Sequence, residues 1–152
     1  MSAAVALALA GCGGGGSAGS ARTQTVRGDG YRFTAPSGWK VEKKGRIVNA
    51  TSGDRILSVT SFTLAKPARP KLAELDTTVR ELARVLGGSV VSARPETVRG
   101  RALRVYRLSY GKLAAEAAFI FKGKDEYELF CQYRAGKSGA SCATFRAGFR
   151  PA

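Results

Sequence analysis

No histidine occurs anywhere in this chain. That removes Ser-His-Asp and Cys-His catalysis, and with them the commonest metal ligand, before any spacing is considered. The 11 carboxylates are scattered along 152 residues. Glu126 and Glu128 share one strand face, as a glycosidase pair would, but neighbouring lysines and a hairpin edge make a solvated face the better reading. Gly136-Lys137-Ser138 has the look of the end of a phosphate-binding loop. Its upstream glycine would have to stand at 131, which is Cys131, and no buried parallel strand leads into it. A Ser-Lys dyad of Lys137 with Ser138 or Ser141 finds no supporting residue around it. Gly11 to Gly16 spells G-x-G-x-x-G with neither a strand before it nor a helix after it, so it is no dinucleotide site. These residues point away from an enzyme. No metal site and no cofactor are expected.

The three cysteines divide into one plus two. Cys12 ends the short apolar run Ala3 to Ala10 and Gly11, then opens onto Gly13-Gly14-Gly15-Gly16-Ser17. Leu9-Ala10-Gly11-Cys12 resembles the lipobox of bacterial lipoproteins, although Met1-Ser2-Ala3-Ala4 lacks the usual basic start. The resemblance implies cleavage before Cys12, diacylglycerol on its sulfur, and a tether leading to one exported domain. The expected division is a signal peptide over 1–11, a flexible Gly/Ser-rich tether over 12–28 and a folded domain over 29–152. The apolar run is too short to span a bilayer. Cys131 and Cys142 then form a candidate structural disulfide, which suits an extracytoplasmic setting. The competing reading, a redox or zinc site, suffers from a spacing that is not C-x-x-C and from the missing histidines.

A formal net charge of +14 attracts polyanions, and the expected partners are anionic wall polymer, anionic lipid or an envelope protein. A solvated basic surface with no partner is an equally good account of the charge alone. Nucleic acid is not expected, because no stretch interleaves aromatic with basic residues as a stacking platform does. Arg99, Arg101, Arg104, Arg107 and Lys112 make the densest positive segment, a candidate anion-binding patch. Strand parity already divides it, with Arg101 and Arg107 on one face and Arg104 on the other.

The elements that would carry these residues are mostly strands. Gly30 to Ala35, Trp39 to Lys43, Ile47-Val48 and Ile56 to Leu64 alternate and are separated by turn residues. Pro70 opens a helix in which Leu72, Leu75, Val79, Leu82 and Leu86 recur at spacings of 3 and 4, and Gly87-Gly88 stops it. Ser89 to Ala93, Arg101 to Tyr110, Ala115 to Lys122 and Glu126 to Tyr133 follow as strands joined by tight turns. Ser141 is placed to cap a short last helix with Cys142, Phe145 and Phe149 on one side. The expectation is α+β: an antiparallel β-sheet covered by the long helix and the short C-terminal helix.

Phe33…Pro36-Ser37-Gly38-Trp39, followed by strands, a long helix, more strands and a closing helix, resembles the PsbP-like (Mog1/PsbP-like) domains of actinobacterial lipoproteins. Such lipoproteins often carry one cysteine on the last strand and one just before the last helix, as at Cys131 and Cys142. The resemblance covers roughly Gly30 to Phe149. It implies an α/β/α sandwich acting as a non-catalytic binding or assembly module on the outer face of the cell membrane, held by the lipid on Cys12. The alternative is a carrier holding a small apolar or lipid ligand between helix and sheet.

Overall fold

The computed structural model describes residues 21–152. The expected signal peptide and the acylated Cys12 therefore lie outside the described residues. In chain order the elements are β1 (Thr23–Gly28), β2 (Tyr31–Pro36), β3 (Lys40–Lys44), β4 (Ile47–Ser52), β5 (Arg55–Thr63), α1 (Leu72–Val85), β6 (Ser89–Val98), β7 (Arg101–Tyr110), β8 (Leu113–Lys122), β9 (Asp125–Arg134), α2 (Ala140–Gly148) and β10 (Arg150–Pro151). The class is α+β, and every strand pair is antiparallel.

The large sheet has seven strands in the order β3-β4-β5-β9-β8-β7-β6. The first meander ends at β5, and α1 carries the chain to the far edge. Three hairpins then walk back until β9 pairs with β5. Two-residue turns set the register of those hairpins. Gly111 and Gly123 each take a positive φ at the first turn position (57° and 59°), the backbone that suits the twist of paired strands. The edges are blunted: β3 is exposed throughout and carries Lys40, Lys43 and Lys44, while Pro95 sits in edge strand β6.

Alternation gives the large sheet two apolar faces. On one, Leu57, Val59, Leu129, Cys131 and Tyr133 pack with Phe33, Cys142, Phe145 and Phe149. On the other, Tyr106, Leu108, Ala115, Ala117 and Phe119 pack with Val79 and Ala83 of α1. The helix begins where the Glu74 carboxylate accepts a hydrogen bond from the Lys71 N–H at 2.9 Å, which satisfies an otherwise orphan donor. Asp76 on its second turn fixes it to β7, accepting from the Tyr106 hydroxyl at 2.7 Å and from Arg104 Nε at 3.1 Å.

The long helix lies mainly on β6 and β7 and shares a core with Ala115, Ala117 and Phe119 of β8. Two expectations change. Residues 23–28, expected as tether, are β1, and with β2 and β10 they form a second, three-stranded sheet. Only Val26 of β1 enters the core, so Thr23-Gln24-Thr25 has no apolar alternation to announce a strand. The second change concerns α2, which starts at Ala140 with Gly139 as its cap residue. Ser141 lies inside it, and it is Ser138 whose Oγ accepts from the Ala140 N–H at 3.2 Å.

Two devices hold α2 down. Cys131 and Cys142 are bonded, with Cα atoms 5.5 Å apart. Arg146, only 3% exposed, donates from Nε and Nη2 to the two Glu96 oxygens at 2.9 Å each, and from Nη1 to Glu116 at 2.5 Å. Burial by itself would lower the pKa of this guanidinium. The hydrogen bonds to Glu96 and Glu116 outweigh it and hold the pKa above its usual value.

Candidate anion-binding site

The small sheet places its arginines by simple hairpin arithmetic. A two-residue turn at Asp29-Gly30 pairs Gly28 with Tyr31, Val26 with Phe33 and Arg27 with Arg32. Tyr31, Phe33 and Val26 are buried, so Arg27 and Arg32 stand on the opposite, outward face. The turn is held tight from inside. A Cβ on Gly28 would lie 2.0 Å from the Tyr31 ring, so the ring occupies the space a side chain would need. After α2 the chain runs along the free edge of β2, where Arg150 pairs with Arg32. Three arginines from three strands thus form one row.

The row lines an open cleft of about 390 Å³ together with Gly28, Gly30, Tyr31, Pro151 and Ala152. No Asp or Glu side chain is among its lining residues, which include the Ala152 main chain. Arg150 is fixed by two hydrogen bonds from its Nη1 to the carbonyls of Ala147 and Phe149, both 2.7 Å. Partial burial, then the charges of Arg99 and Arg32, hold the Arg150 guanidinium below its usual pKa. Arg99 is therefore a fourth cation within electrostatic reach. It sits at the β6–β7 turn with φ of 52°, where Gly100 follows at 74°. Both central residues being positive is the pattern that favours Asn or Gly. An arginine there carries local strain of about 1 kcal/mol.

The expected patch is not brought together. Arg99 joins the row on the small sheet. Arg104 faces α1, pairs with Asp76 and lies 5.6 Å from the Tyr106 ring centre. Arg101 and Arg107 are exposed on the other face of β7, and Lys112 sits in the turn at the end of β7 remote from Arg99. Ten residues of strand separate those ends, roughly 33 Å at about 3.3 Å per residue. Arg27 and Arg32 were reachable from the sequence through the two-residue turn. Arg150 was not, because nothing local announces that a two-residue strand returns to β2.

The other chemically suggestive residues fall elsewhere. Glu126 and Glu128 lie on the α1 side of β9. Burial raises both pKa values, and the Glu126 charge adds to the effect on Glu128. Ser138 precedes the cap residue of α2 and accepts from the Ala140 N–H. No group of three metal-ligating side chains converges among the described residues. No described helix is long and apolar enough to cross a membrane. The cleft between α1 and the sheet, about 290 Å³, is lined by Asp76, Arg80, Arg104 and Tyr106 beside Val90 and Ala93. Those walls suit a charged guest. An apolar groove of about 260 Å³ runs instead between α2 and the start of the small sheet, by Ala35, Pro36 and Ala140.

With this geometry in place, comparison with solved structures is decisive for the fold. The solution structure of cyanobacterial PsbP (CyanoP) from Synechocystis sp. PCC 6803 superposes with a TM-score of 0.64 at 18% identity, covering 95% of this chain and 99% of that one. The fold is PsbP-like. A protein from Bacteroides thetaiotaomicron VPI-5482 aligns over 81% of this chain and 45% of its own, at 12% identity and a TM-score of 0.46. That likeness is too slight to bear on the fold. No protein-family model matches the sequence, and no curated protein matches it either. A PsbP-like frame accounts for the single helical crossover and the returning meander. The arginine row is read from this chain's own residues.

Proposed function

We propose that this chain is a non-catalytic binding or assembly module of the cell envelope, anchored through diacylglycerol on Cys12 to the outer face of the membrane. The observation that carries the binding part is the Arg27–Arg32–Arg150 row. It is an outward-facing cluster of cations with no Asp or Glu side chain among its lining residues, in a chain of net charge +14. The anchored part rests on the Leu9-Ala10-Gly11-Cys12 pattern and on a disulfide of the kind that persists in oxidising compartments. The partner class is anionic: wall polymer, lipid or an acidic envelope protein. A carrier of apolar ligands between helix and sheet is less favoured, because the cleft beside α1 is lined by Asp76, Arg80 and Arg104.

Expression in a host with lipoprotein processing, followed by fractionation and intact-mass measurement, tests this. The expected product starts at Cys12, carries diacylglycerol, lacks two hydrogens for the bridge and sediments with membranes. A soluble product with Met1 retained would end the anchored reading.

A further inference from the structure

We infer that the Arg27–Arg32–Arg150 row, with Arg99 at its flank, binds phosphate esters, each guanidinium presenting its N–H fork to phosphate oxygens. This deepens the binding-module reading by naming the ligand chemistry, and it does not depend on the anchor.

Four observations converge. Neighbouring strands lie about 4.8 Å apart, so three guanidinium groups in one register row span roughly 10 Å, a spacing that matches phosphates presented side by side. Like charges placed directly opposite on paired strands repel. The row holds two such pairs, Arg27 with Arg32 and Arg32 with Arg150, and an anion converts that repulsion into attraction. Arg84, Arg94, Arg104, Arg134 and Arg146 meet carboxylates, and other exposed arginines stand singly, whereas the row sets unneutralised arginines directly opposite one another. Among the described residues Arg27, Arg32, Arg99 and Arg150 form no such ion pair. Finally, Arg150 is pre-set by the Ala147 and Phe149 carbonyls, and Arg99 occupies a turn position where glycine would be less strained. Guanidinium is the side chain best matched to phosphate, through planar paired donors. The cleft is open, so the phosphate enters from outside without being engulfed.

The shared chemistry has two sources, a lipid headgroup and a free glycerol phosphate, and the test separates them. Full-length chain carrying Cys12→Ser, oxidised, is titrated with vesicles of phosphatidylglycerol in phosphatidylcholine, with pure phosphatidylcholine vesicles, and with soluble sn-glycerol 3-phosphate. Three proteins are compared: this parent, the triple variant Arg27→Ser/Arg32→Ser/Arg150→Ser, and a charge-matched control Arg107→Ser/Lys112→Ser/Lys137→Ser. At about 1 kcal/mol per basic residue near an anionic surface, the row variant is expected to bind roughly 100-fold more weakly than the parent. The control is expected to change less than about 5-fold. Whichever of the two phosphate probes shows this contrast names the source. Equal losses in the two triple variants mean diffuse charge and overturn the site, as does a parent that binds neither probe. Thermal melts accompany each titration. Should the row triple melt below the assay temperature, Arg32→Ser alone and Arg99→Gly alone replace it, and no loss in either overturns the inference.

Discussion

Arg146 and Arg150 stand one helical turn apart on the chain, and the fold treats them in opposite ways. Arg146 is withdrawn from water and enclosed by Glu96 and Glu116, with its pKa raised. Arg150 is left among Arg32 and Arg99 with its pKa lowered and only backbone carbonyls for company. The same side chain is a structural lock in the first place and an unneutralised cation in the second. Location decides which. Arg146 lies on the inward face of α2, whose burial demands a partner for any charge. Arg150 lies after the helix, on the outward face of a strand. Glu96 and Glu116 are committed to the lock, and the paired outward side chains of the small sheet at Arg27, Arg32 and Arg150 are all positive.

The contrast can be broken most severely at its buried half. Arg146→Met leaves Glu96 and Glu116 with only the half-exposed Arg94 as a partner, and Glu116 is 11% exposed. A loss of about 3–5 kcal/mol in urea unfolding is expected, and Arg150→Met should change stability by less than about 0.5 kcal/mol. A comparable loss at both positions would erase the distinction. Replacing Cys131 and Cys142 by alanine comes next. The bond closes a loop with sequence separation 11, and its removal should lower stability by about 2–3 kcal/mol in the chain-entropy model. Reduction of the wild type by dithiothreitol should move its midpoint equally far.

At the exposed half the signs invert. Arg99→Gly relieves the positive φ of 52°, and the melt should rise by the equivalent of about 1 kcal/mol. Anion affinity should fall at the same time. A variant that gained both would show that the strain serves nothing.

The smallest effects lie in acid titration. The hydrogen bond from Arg146, ahead of the other nearby charges, holds Glu96 below the usual carboxylate value of 4.5. Its stabilisation is complete above that value and disappears as pH falls through the depressed pKa. Glu128 behaves oppositely, raised by burial and then by the charge of Glu126. The stability tied to its protonated form is complete below 4.5 and lost as pH rises through the raised pKa. Glu128→Gln should therefore stabilise the protein at pH 7 with a gain that vanishes by pH 4, whereas Arg146→Met should flatten the acid limb. Melting curves across pH 3–8 read both.

Much of the fold was legible because period and punctuation agree. Leu75, Val79 and Leu82 repeat at helical spacing, and the glycine-led turns after β7 and β8 leave little choice of register. Cys131 and Cys142 could be paired because no histidine competed for them. The small sheet was hidden for a physical reason. β1 contributes one core residue, Val26, and β10 is two residues long, so neither has enough pattern to outweigh a polar loop. The expected anion patch failed for a related reason. Density along the sequence measures neighbours on one strand, but a sheet gathers charge across strands, as it does with Arg27, Arg32 and Arg150.

That cross-strand construction has a consequence for timing. Arg27 and Arg32 are among the first residues of the domain, and Arg150 is nearly the last. The pairing of β10 with β2 joins the two ends of the domain, and such non-local closures are intrinsically slow. A chain still being made, or one cropped after Phe149, can hold both cores and its disulfide yet lack the third arginine. The row is thus a marker of completion, present only when the two ends of the domain have met.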